Sequence, residues 1–249
     1  MGTSEQSGQD GADRKEMSFL DHLEELRWRV IWSLVGIILG MIICWIFIDF
    51  LVDNILLLPA RHNGIKLQNL KPFGQIFLYF EIAIIGGIVL SIPNIIFQIW
   101  KFIAPALRSN EKKYVSGIVI FSSFCFLTGI AFAYFVMLPL TFSFATTFGS
   151  KTIENNFAVD EYFSIIISIM LAAGVVFELP VVSFFLSKLG ILKPDYMRKY
   201  RRHAIVIIMV LAAFLTPGTD PVSQIVLAVP LFLLYEISIF ISKISQKKS

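Results

Sequence analysis

Charge is what this sequence has least of. Asp, Glu, Lys and Arg make up 16% of 249 residues and the formal net charge is only +3. The net value says little about partners, and no nucleic-acid partner is expected. Three scattered histidines offer no ligand spacing. Cys44 and Cys125 each lie inside an apolar run, which reads as two buried thiols rather than a disulfide or a metal pair. Missing too are a phosphate-cradling glycine loop, a nucleophile elbow and an HExxH helix. Neither an enzyme nor a bound cofactor is expected. No internal repeat and no low-complexity tract is found, and the apolar runs of the two halves do not match in length, which weighs against an inverted-repeat transporter.

What the chain has in abundance is hydrocarbon. Hydrophobic residues account for 56% and aromatics for 14%, and the mean hydropathy of +0.75 is far above that of a water-soluble domain. An all-α integral membrane protein with six transmembrane helices is expected. The spans read as Val30 to Ile48, Ile76 to Ala104, Val115 to Met137, Glu161 to Leu189, Ala204 to Leu215 and Val222 to Ile241. Helices five and six are short: the twelve apolar residues from Ala204 to Leu215 cover roughly 18 Å against a normal core of about 30 Å. They read as a hairpin that thins the bilayer locally. Gly86-Gly87 and Pro93 predict a bend in span two.

Six spans bring both termini to one face. Of the 21 Lys and Arg, only Arg61, Lys66, Lys71 and Lys151 fall in the segments assigned to the other face, so both termini are expected in the cytoplasm. Residues 1–17 read as a disordered cytoplasmic tail, 18–242 as the six-helix transmembrane domain and 243–249 as a basic cytoplasmic tail. Gln6 stands where myristoylation needs Ser or Thr. The segments Asp49 to Gln75, with a short interfacial helix, and Pro139 to Asp160 read as external loops.

A few polar groups stand at or inside the membrane, where they are costly and default to functional hypotheses. Ser18 to Arg29 reads as an amphipathic helix running up to span one, with Glu25 and Arg27 at the water–lipid border. Glu111, after span two, falls on the same face. Two such carboxylates could hold two guanidiniums in fork geometry; equally, Glu111 could cap span three or pair with Lys112 or Lys113. Glu178 lies near mid-membrane and needs a polar neighbour, for which Gln224, Thr216 or another subunit's helix are candidates. A plain interhelical hydrogen bond is the other reading, and so is a charge carrier in a proton- or solute-coupled transporter. Asp220 reads as turn chemistry and Glu236 as a snorkelling side chain.

Four motifs then occur in order: His22-Leu-x-Glu-Leu-Arg27, Phe102-Ile-Ala-Pro-Ala-Leu107 followed by Glu111, Phe177-Glu-Leu-Pro180, and Leu215-Thr-Pro-Gly-x-Asp-Pro-x-Ser-Gln224. Together they resemble the TatC family, the twin-arginine protein translocase receptor subunit, over about Ser18 to Ile241. The resemblance implies a signal-peptide receptor and translocase core in the bacterial inner membrane, exporting folded proteins with the proton-motive force. It implies that Glu25 and Glu111 contact the arginine pair, that Arg27 and Arg29 support that surface, and that Glu178 is the intramembrane polar group. Thr216, Asp220 and Gln224 would belong to a hairpin surface docking TatA/TatB-type single-span proteins within an oligomeric complex. Glu81 departs from the pattern, standing where a lysine is expected.

Overall fold

A computed structural model describes residues 19–103, 115–147, 156–188, 190–215 and 221–247. The N-terminal tail, Glu111, Thr216 and Asp220 lie outside the described residues. The chain is an all-helical integral membrane protein. Among the described residues, five stretches are long and apolar enough to cross a bilayer: His22–Ile46, Gly74–Ile103, Gly117–Thr147, Val159–Lys188 and Leu227–Ile244.

The expected surface helix and span one are a single helix, α1 (Phe19–Ile46). No proline interrupts this stretch, so nothing separates the charged segment from the apolar one. Beyond Ile46 come a short α2 (Ile48–Phe50), a π-helical segment (Leu51–Leu56) and α3 (Leu58–His62), which is the expected interfacial helix. Strand β1 (Lys66–Gln68) leads to α4 (Gly74–Ile103), which runs through both Gly86-Gly87 and Pro93.

Span three is longer than its hydropathy implied. Helix α5 (Val115–Phe132) continues through a π-helical segment (Ala133–Met137) into α6 (Leu138–Thr147), so the expected loop from Pro139 begins as helix. The π-helical turn shifts the hydrogen-bond register directly before the residue that lacks an N–H. Strand β2 (Asn156–Ala158) pairs in parallel with β1, Leu67 opposite Phe157.

Span four is broken where it was expected to be continuous. Helix α7 (Val159–Val176) ends and α8 (Leu179–Lys188) begins at Phe177-Glu178. Pro180 is the cause: it cannot bond the carbonyl of Val176, four residues back, and its ring crowds that carbonyl. After α9 (Pro194–Lys199), α10 (Arg201–Leu215) is about 22 Å long and packs on α11 (Pro221–Lys247). The expected short sixth span therefore sits inside a longer helix that continues past Ile241.

Two tyrosines lock the end of the bundle that carries β1 and β2. Pro59 leaves the carbonyl of Ile55 without its helical donor, and the Tyr134 hydroxyl donates to it at 2.8 Å. The Tyr162 hydroxyl donates to the Leu56 carbonyl at 2.8 Å and accepts from the Ala60 amide at 3.0 Å, filling the gap in one helical hydrogen bond. Tyr162 is fully buried and stacks on Phe142, centroids 4.9 Å apart. Beside it Lys71 pairs with Asp160 at 2.5 Å, and that hydrogen bond holds the Lys71 ammonium above its ordinary pKa.

Helices α1 and α4 meet most closely at Gly40 and Gly87. A methyl at Gly87 would stand 2.6 Å from the Met41 amide nitrogen and 2.8 Å from the Ile37 carbonyl oxygen, so only glycine permits this approach. Gly87→Ala is expected to force the helices apart and cost about 1–3 kcal/mol, lowering the midpoint of thermal unfolding in detergent. Gly117→Ala, whose methyl meets nothing within 4 Å among the described residues, should not lower the midpoint, since alanine is the better helix former.

Candidate functional site

The conserved spacing of a helix brings Glu25 and Arg29, four residues apart, onto one face of α1. Their side chains form an ion pair at 2.7 Å and are only 18% and 20% exposed. Arg27 is elsewhere: it is 66% exposed, 3.9 Å from Glu24, with its guanidinium over the Trp28 ring. Of the two arginines expected to support Glu25, only Arg29 touches it.

Arg29 also reaches across to α4. Its guanidinium lies 3.5 Å from the Gln98 amide oxygen, Gln98 donates to Asn94 at 3.4 Å, and Asn94 donates to the Trp32 carbonyl of α1 at 3.0 Å. The first two are at the long limit of a hydrogen bond. One turn further toward the helix ends, the His22 ring stacks on Phe102 with centroids 4.3 Å apart. The first two sequence motifs, eighty residues apart, are thus in direct contact. Neither Gln98 nor Asn94 was singled out from sequence, although both are amides, four apart, inside an apolar run.

Glu178 sits at the α7–α8 break. Its backbone carbonyl accepts from Val181 and Val182, each at 3.0 Å, and its side chain accepts a hydrogen bond from the Ser122 hydroxyl on α5. The expected partner Gln224 is not its neighbour: Gln224 donates instead to the Met209 carbonyl of α10 at 2.9 Å, holding α10 against α11. Ser122 is one of two adjacent serines in an apolar run, a signal that sequence reading passed over. Glu236 does not merely snorkel, since it pairs with Arg201 at 2.6 Å. Glu81 is exposed on α4 with no partner seen among the described residues.

Among the described residues, the buried side-chain nitrogen and oxygen atoms without a hydrogen-bond partner are Glu25 Oε2, Arg29 Nε and Glu178 Oε1. All three belong to residues that the sequence motifs had picked out. An unpaired buried polar atom costs about 1–3 kcal/mol, so these are the atoms with most to gain from a further donor or acceptor. No group of His, Cys, Asp or Glu able to hold a metal is found among the described residues, and both cysteines are free.

A polytopic helical membrane protein with under-satisfied ionisable groups at one rim and at a helix break is a candidate for handling charged cargo, and comparison with known proteins narrows that class. The family model for the Sec-independent protein translocase protein TatC matches residues 21–230. A TatC of Carboxydothermus hydrogenoformans is 37% identical over 94% of this chain and 96% of its own length. The chloroplastic TATC of Pisum sativum is 35% identical over 90% of this chain and 63% of its own. A crystal structure described as the twin arginine translocase receptor TatC superposes with a TM-score of 0.80 at 34% identity, covering 90% of this chain and 99% of that one. The chain belongs to the TatC family of protein translocase components.

Ser122→Ala is expected to strip Glu178 of its described donor and to destabilise the protein by about 1–3 kcal/mol, read as a lower unfolding midpoint. Adding Glu178→Leu should restore part of that loss, because no carboxylate is then left unpaired.

Proposed function

We propose that this chain is the receptor for twin-arginine signal peptides and the core subunit of a twin-arginine translocase that exports folded proteins using the proton-motive force. Glu25 and Glu111 contact the paired guanidiniums, with Arg29 holding Glu25 in position. The chain makes six crossings of the bacterial inner membrane, counting α10 as the short fifth, with both termini in the cytoplasm. Gln224, Thr216 and Asp220 belong to the hairpin surface that docks TatA/TatB-type single-span partners in an oligomeric complex.

The observation that carries this reading is Glu25 itself. One carboxylate oxygen is engaged by Arg29, and the other is buried with no partner among the described residues. A carboxylate accepts two parallel N–H bonds from a guanidinium at fixed separation, a geometry that an ammonium cannot supply. The unpaired Oε2 together with the remaining lone pair of Oε1 can accept that fork from an arriving arginine while Arg29 stays bound, and the long Arg29–Gln98 contact yields at little cost when it arrives. The second acid is within reach: α4 ends at Ile103 beside the His22–Phe102 stack, and eight residues of chain to Glu111 span at most about 28 Å. The uneven distribution of Lys and Arg supports the orientation, and likeness to a solved twin arginine translocase receptor supports the role.

The test is photocrosslinking of the purified chain in nanodiscs to a signal peptide bearing Arg-Arg. Glu25→Ala and Glu111→Ala are each expected to weaken binding at least about thirty-fold, the lower bound for breaking a desolvated charge pair at about 2 kcal/mol, with the unfolding midpoint preserved for Glu111→Ala. A Lys-Lys peptide should lose the adduct with the unaltered chain. Undiminished crosslinking in the folded variants, or an equally strong adduct with Lys-Lys, would defeat the assignment.

A further inference from the structure

Between the end of α1, the π-helical segment after it, the middle of α4 and the middle of α7 lies a cavity of about 410 Å³. Every side chain lining it is hydrocarbon or sulfur. Its floor is Cys44, Ile82 and Ile166, all buried, while the rim residues Phe47, Phe50 and Leu90 each expose more than half of their surface. The floor is held tight at one point, since a methyl at Gly86 would stand 2.6 Å from the Cys44 sulfur. The lining shares no residue with the Glu25–Arg29 ladder or with Glu178.

The cavity arises from the backbone. At Ile46 the regular α1 stops, and the chain re-forms as a π-helix from Leu51 to Leu56. Its ridges then no longer match the grooves of α4 and α7. A void of this kind forfeits the dispersion contacts of every atom around it. Wholly apolar cavities of about 150 Å³ stay dry and accept small hydrocarbons, and this one has between two and three times that volume. Its rim is exposed apolar surface beside the spans α1 and α4, so the hydrocarbon nearest to hand is lipid.

Size decides what can enter. A helix about 10 Å across occupies roughly 400 Å³ in a single 5.4 Å turn, so a single-span protein cannot be accommodated beyond one turn. A polymethylene chain, single-file and flexible, fits lengthwise. With the weak Cys44 thiol and the Met170 thioether as the most polar groups in the lining, a headgroup and a polar peptide are excluded alike. We infer that this cavity is a binding site for one acyl chain of a bilayer phospholipid, entering across the Phe47–Leu90 rim and wedging the end of α1 against α4 and α7. The inference is independent of the receptor role.

The full chain in nanodiscs, doped with a phospholipid carrying a diazirine at the end of one acyl chain, tests it by photolysis and peptide mass spectrometry. Adducts on Cys44, Ile82, Val89 and Met170 are expected to exceed, several-fold, those on equally apolar exposed positions such as Phe124 and Phe135. Val89→Trp, whose indole takes up part of the cavity and obstructs its length, should bring them down to that background, and Phe124→Trp should not. Ile85→Phe serves as a milder filling should the tryptophan variant fail to fold. An even spread of adducts over the apolar surface in the unaltered chain overturns the inference. So does labelling that survives filling in a folded variant, or labelling by a free diazirine fatty acid where the phospholipid gives none.

Discussion

Hydrocarbon offers no water to a polar atom, and that scarcity organises this molecule. A proline in a helix strands the carbonyl four residues back, and two prolines, one in the interfacial helix and one inside a span, show two ways in which the chain responds. At Pro59 the answer is the Tyr134 hydroxyl on the stranded Ile55 carbonyl, reinforced next door by Tyr162 between Leu56 and Ala60. At Pro180 the chain yields instead: the helix breaks, and the break carries Glu178 to the Ser122 hydroxyl on another span. The same rule that fixes the fold therefore selects the positions where an ionisable group can be kept inside it.

Much of this was legible in the sequence, because the signals concerned are strong and local. Long apolar runs gave the spans, Pro59 and Asn63-Gly64 the short interfacial helix, and twelve apolar residues after His203 a helix too short for an ordinary crossing. Four motifs in order pointed to the family that the comparisons bear out. Pro180 beside Glu178 is also a legible signal, since a proline breaks the ladder at the carbonyl four residues back and α7 ends at Val176, but the continuous apolar run around it masks the break.

What could not be read depends on partners far apart in the chain. Three-residue strands such as Lys66–Gln68 and Asn156–Ala158 are too short to show a period of two, and their pairing joins loops ninety residues apart. Ser122 is one hydroxyl among several in a run where serine commonly bonds its own helix, as Ser123 does to the Val119 carbonyl. Only the packing of α5 on α7 distinguishes it. Arg29 was legible as a charge near the border, but that it rather than Arg27 faces Glu25 follows from four-residue helical spacing and a continuous α1, which the expectation of a separate surface helix obscured.

The two ends of the bundle are held by contacts of unequal quality, and the inequality bears on where a ligand can act. At the β1–β2 end the tyrosine hydrogen bonds are 2.8 to 3.0 Å, and one hydroxyl serves two backbone groups. At the other end the ladder from Arg29 through Gln98 to Asn94 is stretched to 3.5 and 3.4 Å, and Arg29 Nε and the adjoining Glu25 Oε2 have no partner among the described residues. A strong hydrogen bond resists exchange, because any replacement must match it. A long one next to an unpaired carboxylate oxygen gains from exchange. A donor reaching the proposed Glu25 site would meet the unpaired Oε2 without displacing the close 2.7 Å Arg29 pair, and the long Arg29–Gln98 contact is the one with least to lose if Arg29 shifts.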